Sequence, residues 1–215
     1  MSQRTNWSEA FRRAGRQAVS VALLLVVVVT LVSVAASSDQ RSKAPAFTRQ
    51  PRLMVDDSVG ADLEALALET WDQFLAVFQA RSGCFGDVHL RAVYDLGSRA
   101  GYDPDTATVT VLVPGTPAML QSALIHEWAH HVEFQCEEHQ DLRPMFLAAQ
   151  GLPPDTPWRP RDVPANLPTS EWAGIPSEQY AEAVIELVLG GRPIPTRVHV
   201  TPEAIRVIQE WAVGD

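Results

Sequence analysis

Cysteine and positive charge are both scarce in this chain. Only two cysteines occur among 215 residues, which excludes a disulfide-dense scaffold and a zinc site of four cysteines. Lys and Arg total 17 against 26 Asp and Glu, for a formal net charge of −9. That balance argues against a nucleic-acid grip built on a basic surface. No internal repeat is visible. With 46% hydrophobic and 20% charged residues the chain has an ordinary globular balance, and wholesale disorder is excluded. The length suits one domain with an appendage.

What is there is unevenly placed. Arg4, Arg12, Arg13 and Arg16 face a single acid, Glu9, before an apolar run from Val19 to Ala36 that only Ser20, Thr30 and Ser33 interrupt. A basic segment before such a run has the form of an export signal, with the basic flank held in the cytoplasm and the acidic remainder outside. The run has 18 residues, just enough to span a bilayer as a helix. Ser33-Val34-Ala35 and Val34-Ala35-Ala36 also have the small-residue form of a cleavage site. Residues 1–18 are therefore read as a cytoplasmic basic segment and 19–36 as a transmembrane signal-anchor or a signal peptide. Residues 37–55, with scattered Ser and Pro, are read as a linker, and 56–215 as the folded domain. The expected location is the cell membrane, single-pass with the C-terminal domain extracytoplasmic, or alternatively secretion after cleavage. In an oxidising compartment Cys84 and Cys136 are expected to pair, and the alternative is two buried thiols. The bond would close a loop of about 50 residues and stabilise by about 4 kcal/mol on the chain-entropy model.

Hydrophobic periodicity predicts the elements. Leu63, Ala67, Trp71, Phe74, Leu75 and Phe78 recur at helical spacing in a helix from about Ala61 to Gln79, with Asp57 or Ser58 as its cap. Val88 to Tyr94 and Thr108 to Val113 alternate as strands of a hairpin or meander, with Gly97, Gly101 and Asp103-Pro104-Asp105 as the loop between them. Thr116-Pro117 is a cap-plus-proline helix start, leading to about Phe134. Residues 144–168 hold seven prolines and read as an ordered surface excursion. Ser177 is expected to cap a helix to Leu189 that Gly190-Gly191 stops. Thr201-Pro202 starts a last helix to about Val213.

The chemistry concentrates at His126-Glu127-Trp128-Ala129-His130, inside the helix that Thr116 starts. Four residues make about 400° of rotation, so the two imidazoles lie one turn apart on one face. So placed, they can hold one Zn²⁺. Glu127 lies about 100° round from His126, within reach of a metal-activated water as general base. Leu120, Leu124 and Trp128 give the helix a separate apolar stripe, so ligands and core need not compete. A catalytic zinc site takes a third protein ligand and keeps an open position. Glu178, in Ser177-Glu178-Gln179-Tyr180-Ala181-Glu182, is the candidate, in the first turn of its helix where the dipole favours a negative group. Glu182 lies one turn further on the same face, placed to orient a ligating imidazole.

This arrangement resembles the gluzincin class of zinc metallopeptidases. The resemblance rests on HEWAH followed by a helix bearing Glu-x-x-x-Glu, and covers about residues 60–190. The Glu-Gln-Tyr-Ala-Glu stretch is similar to the Glu-x-x-Ala-Asp of small membrane-linked gluzincins, with Glu182 where that class carries Asp. The resemblance implies peptide-bond hydrolysis. It also implies a substrate lying antiparallel along an edge strand above the motif helix, a place Thr108–Val113 would fill. The metzincin pattern HExxHxxGxxH fails here, because Glu133 and Cys136 stand where it needs Gly and His. His139 remains the rival third ligand. His131 is expected to pack or meet solvent, and His89 and His199 to be structural. Tyr180, His139 and Arg192 are candidate donors to a transition-state oxyanion. Trp158 and Trp172 are expected to cover the core or line a cleft.

The sequence therefore predicts an α+β, zincin-like domain: an N-terminal helix, a short antiparallel sheet, an HExxH helix and a glutamate helix. The expected ligands are His126, His130 and Glu178, with Glu127 as general base, Glu182 behind the ligands and Zn²⁺ as cofactor. Expected partners are a peptide or protein substrate and a membrane through residues 19–36, with no nucleic acid. The alternative is a non-catalytic exported domain of the same shape that binds a partner at the cell envelope. Hydrolysis of a non-peptide amide is a third reading.

Overall fold

The computed structural model describes residues 49–160 and 168–214. In chain order, β1 is Leu53–Val55 and α1 is Ala61–Val77, followed by a 3-10 turn at Gln79–Arg81. Strands β2, β3 and β4 are Val88–Val93, Ala100–Asp103 and Thr108–Leu112. Helix α2 is Pro117–Gln135, α3 is His139–Ala149, α4 is Thr169–Trp172, α5 is Pro176–Leu189 and α6 is Pro202–Val213. Among the described residues this is a mixed α+β fold of six helices and one four-stranded sheet.

The sheet order is β1-β2-β4-β3. The predicted antiparallel pairing of the two long strands is corrected: β2 and β4 run parallel, with Leu90 opposite Val109 and Ala92 opposite Val111. The hairpin partner of β4 is β3, with Tyr102 opposite Val109, in the stretch read as a loop. Alternation gives a strand's buried face but not its direction, and both long strands alternate. Val88, Leu90, Ala92, Val109 and Val111 are buried, while their neighbours are less so. One sheet face is thus covered by helices, and the usual two-sided burial of parallel strands is absent here. As a result β3, and not β4, is the edge strand beside α2. Strand β1 also lies inside the stretch read as linker, pairing parallel with β2.

Helix starts follow the proline signals more closely than the polar ones. Thr116 Oγ1 accepts from Met119 N–H at 3.3 Å, and Thr201 Oγ1 from Ala204 N–H at 3.1 Å. Each precedes a proline that has no N–H to satisfy. Helix α5 begins instead after Ile175, with Pro176 in its first turn and Ser177 already inside and buried. The cap of α1 is Gly60. Ser58 is diverted to the sheet, where its Oγ accepts from Ala92 N–H at 3.0 Å. Gly190 closes α5 with φ 68°, the left-handed conformation that glycine takes without Cβ strain.

Helix α3 was not expected, because Pro144 lies within it. One lost N–H bond is outweighed by burial of Leu142, Phe146 and Leu147 along one face. Trp71, Phe74 and Trp128 form the aromatic centre between α1 and α2, with ring centroids 5.0–5.7 Å apart. The Cys84–Cys136 bond is present, with Cα atoms 4.7 Å apart. It ties the chain after α1 to the C-terminal end of α2.

The membrane location is corrected. Among the described residues no helix is long and apolar enough to cross a membrane. The longest, α2, has 19 residues and carries Glu127, Glu133 and three histidines. The basic segment 1–18, the apolar run 19–36 and most of the linker lie outside the described residues, as do 161–167 of the proline-rich stretch.

Candidate metal centre

Helices α2 and α5 pack against each other and bring three side chains to one point. His126 Nε2 lies 3.1 Å from Glu178 Oε2 and 3.2 Å from His130 Nε2, and His130 Nε2 lies 3.5 Å from the same oxygen. Ligands about 2.0–2.1 Å from a tetrahedral ion are about 3.3 Å apart. The three atoms therefore lie close enough together to hold a metal ion. The i, i+4 spacing supplies the two imidazoles from α2, and the first turn of α5 supplies the carboxylate.

Both imidazoles are oriented from behind. His126 Nδ1 donates to Glu182 Oε1 at 3.1 Å, and His130 Nδ1 donates to Glu133 Oε2 at 2.9 Å. Carboxylates only accept, so a ring bonded to one through Nδ1 carries a proton there and presents its Nε2 to the common point. Two lone pairs 3.2 Å apart repel unless a cation or a proton lies between them. Burial opposes protonation of His126, but hydrogen bonds to Glu178 and Glu182 and nearby negative charge push its pKa up to about 10. The cluster is thus built to hold positive charge.

The carboxylates are themselves held. Burial disfavours the Glu133 anion, yet the bond from His130 and the adjacent Arg159 guanidinium bring it down to about 2. Trp158 Nε1–H donates to its other oxygen at 2.9 Å. Arg159 spans two acids, donating to Glu133 Oε2 at 3.0 Å and to Glu178 Oε1 at 3.4 Å. Glu182 forms an ion pair with Arg192. Glu178 is likewise held well below the usual carboxylate range: burial opposes this, and the bonds to His126 and His130 prevail.

The cluster opens on a cavity of about 610 Å³ whose wall includes Glu127, Tyr102, Trp172, Arg159 and Arg192. Trp172 stacks on the His126 ring at 5.9 Å, while Trp158 is buried against Phe146 and Tyr180. His139 is not part of the cluster. It is buried among Trp158, Tyr180 and Trp211, and burial pushes its pKa down to about 3. Tyr180 is fully buried in the same group, away from the cavity wall, so neither it nor His139 is placed as an oxyanion donor. His89 and His199 have exposed side chains away from the cluster. His131 is fully buried, with Nε2–H donating to the Gly86 carbonyl at 3.0 Å. Its Nδ1 accepts from Tyr102 O–H at 2.9 Å, which ties α2 to the edge strand.

Three contributors were missed in the sequence: Glu133, Arg159 and Tyr102. Glu133 carried a usable signal, since it stands three residues after His130 on the same helical face. Arg159 and Tyr102 carried none, because a proline-rich excursion and a four-residue strand bring them in.

No protein-family model, curated protein or solved structure matches the chain.

Proposed function

We propose that this chain is a zinc-dependent metallopeptidase of the gluzincin type. The reading is carried by one observation: His126, His130 and Glu178 converge within 3.1–3.5 Å of one another on the wall of a cavity that Glu127 also lines. Two imidazoles and one carboxylate suit zinc better than calcium or magnesium, which take oxygen ligands. Behind the ligands, the paired carboxylates Glu182 and Glu133 match the support that ligating histidines take.

When bound, zinc supplies a Lewis acid that polarises a carbonyl and lowers the pKa of water. Glu127 then acts as general base, taking a proton from the attacking water and delivering it to the leaving nitrogen. Glu182 and Glu133 keep the Nδ1 protons in place so that both Nε2 atoms remain available. Arg159 holds the second oxygen of Glu178 and so fixes that carboxylate's orientation. Strand β3 ends the sheet beside α2, and a peptide can add to its free edge as a further strand.

The test is a pair of measurements on Glu127→Gln. Zinc content is expected to match the wild type, while cleavage of a denatured protein substrate falls by about 100-fold or more. Cleavage at the wild-type rate would remove Glu127 from the chemistry and with it this reading.

A further inference from the structure

Three arginines line the cavity in front of the metal cluster: Arg99, Arg159 and Arg192. Two are matched by carboxylates, Arg159 by Glu133 and Glu178 and Arg192 by Glu182. Arg99 is different. Among the described residues no carboxylate pairs with it, and its one side-chain hydrogen bond is a long 3.4 Å contact to the Pro114 carbonyl. Its position is set by the backbone. The Arg99 carbonyl accepts from Leu112 N–H at 2.9 Å, which fixes the residue at the entry to β3. The guanidinium lies by Gly115, where an added Cβ would come within 3.6 Å of Nη1.

Arg99 is half-buried. A guanidinium offers five N–H donors in a planar fork, and most of those of Arg99 are free of protein acceptors among the described residues. Its best complement is a carboxylate, bound through two parallel hydrogen bonds. Much of the remaining wall is apolar, with Met119, Ala123, Phe134 and Ile185, and a carboxylate arriving with the ligand would complement Arg99. The same wall carries Glu127, Glu178 and Glu182; Glu178 and Glu182 are matched by Arg159 and Arg192, which leaves Arg99 as the arginine of this wall with no carboxylate paired to it among the described residues.

We infer that the substrate of this site carries a carboxylate and that Arg99 binds it. The inference rests on the peptidase reading and adds the substrate class. The carboxylate belongs either to an acidic side chain or to the free C-terminus of the peptide, which present the same pair of oxygens.

Three peptide hydroxamates distinguish the two sources, the hydroxamate serving as the metal-binding group. One carries an aspartate and an amidated C-terminus, one carries alanine and a free C-terminus, and one carries alanine and an amidated C-terminus. Each is titrated into the zinc-loaded full-length protein, wild type and Arg99→Ala. One of the charged probes is expected to bind about tenfold or more tightly than the neutral one. Arg99→Ala is expected to abolish that advantage while leaving the neutral probe's affinity unchanged, which also reports an intact fold. If Arg99→Ala does not fold, Arg99→Gln makes the same comparison. Equal binding of all three probes to the wild type overturns the inference and leaves the peptidase reading standing. An advantage that survives both substitutions takes Arg99 out of recognition. Failure of every probe to bind the zinc-loaded wild type overturns the peptidase reading itself, and the inference falls with it.

Discussion

Glu182, on α5, accepts a hydrogen bond at 3.1 Å from Nδ1 of His126, on α2, across 56 residues of sequence. The bond joins the two helices at the His126/His130/Glu178 cluster and turns Nε2 of His126 toward His130 and Glu178. Removing it by Glu182→Ala also leaves Arg192 without its counter-ion. Metal affinity is expected to fall about 10- to 100-fold, as is usual when such a supporting carboxylate is lost. Glu182→Gln, which keeps an accepting oxygen, is expected to fall between. Competition with a chromogenic chelator reads both, and unchanged affinity in Glu182→Ala would mean that another group orients His126.

Acid is expected to destabilise the fold through its buried neutral histidines. An unfolded histidine titrates near 6.5, whereas burial holds His139 down to about 3. Between those values the unfolded chain binds the extra proton, so stability falls as pH drops from about 6.5 toward 3. His131, pushed down to about 4 by burial, contributes with the same sign. His139→Phe removes one such group and also the buried Nε2, which has no hydrogen-bond partner. Its stability between pH 6 and 4 is expected to change less steeply than that of the wild type, by roughly 1.4 kcal/mol per pH unit. Urea denaturation at a series of pH values measures the slope, and an identical slope would show that His139 is not buried neutral.

The Cys84–Cys136 bond spans a sequence separation of 52 and anchors the end of α2. Replacing both cysteines by alanine is expected to lower stability by about 4 kcal/mol. In a domain of this size that lowers Tm on the order of 10 °C. Thermal denaturation with and without reductant gives the same comparison on the wild type. A midpoint indifferent to both changes would mean that the loop is already ordered without the bond.

The convergence of His126, His130 and Glu178 was legible in the sequence because local rules place it. Helical rotation puts His126 and His130 on one face, and Thr116-Pro117 fixes where that helix starts. Glu178 and Glu182 share a face for the same reason. What failed is what depends on distant pairing. Strand β3 has four residues with Gly101 at its centre, and only pairing with β4 makes it a strand. The parallel course of β2 and β4 follows from β3 taking the hairpin position, which alternation in the long strands does not encode. Pro144 hid α3, whose burial of Leu142 and Phe146 overrides a local penalty. Arg159 sits between prolines, and its place over Glu133 and Glu178 comes from the docking of Trp158 beside it.

Zinc per chain, measured by elemental analysis after dialysis of the wild type and of Glu178→Ala, shows whether His126, His130 and Glu178 together hold a metal. One zinc per chain is expected in the wild type, with a large loss in the variant. No zinc in the wild type would reduce His126 and His130 to a hydrogen-bonded pair. Equal zinc in both proteins would place the third ligand somewhere other than Glu178, and either result contradicts the site described here.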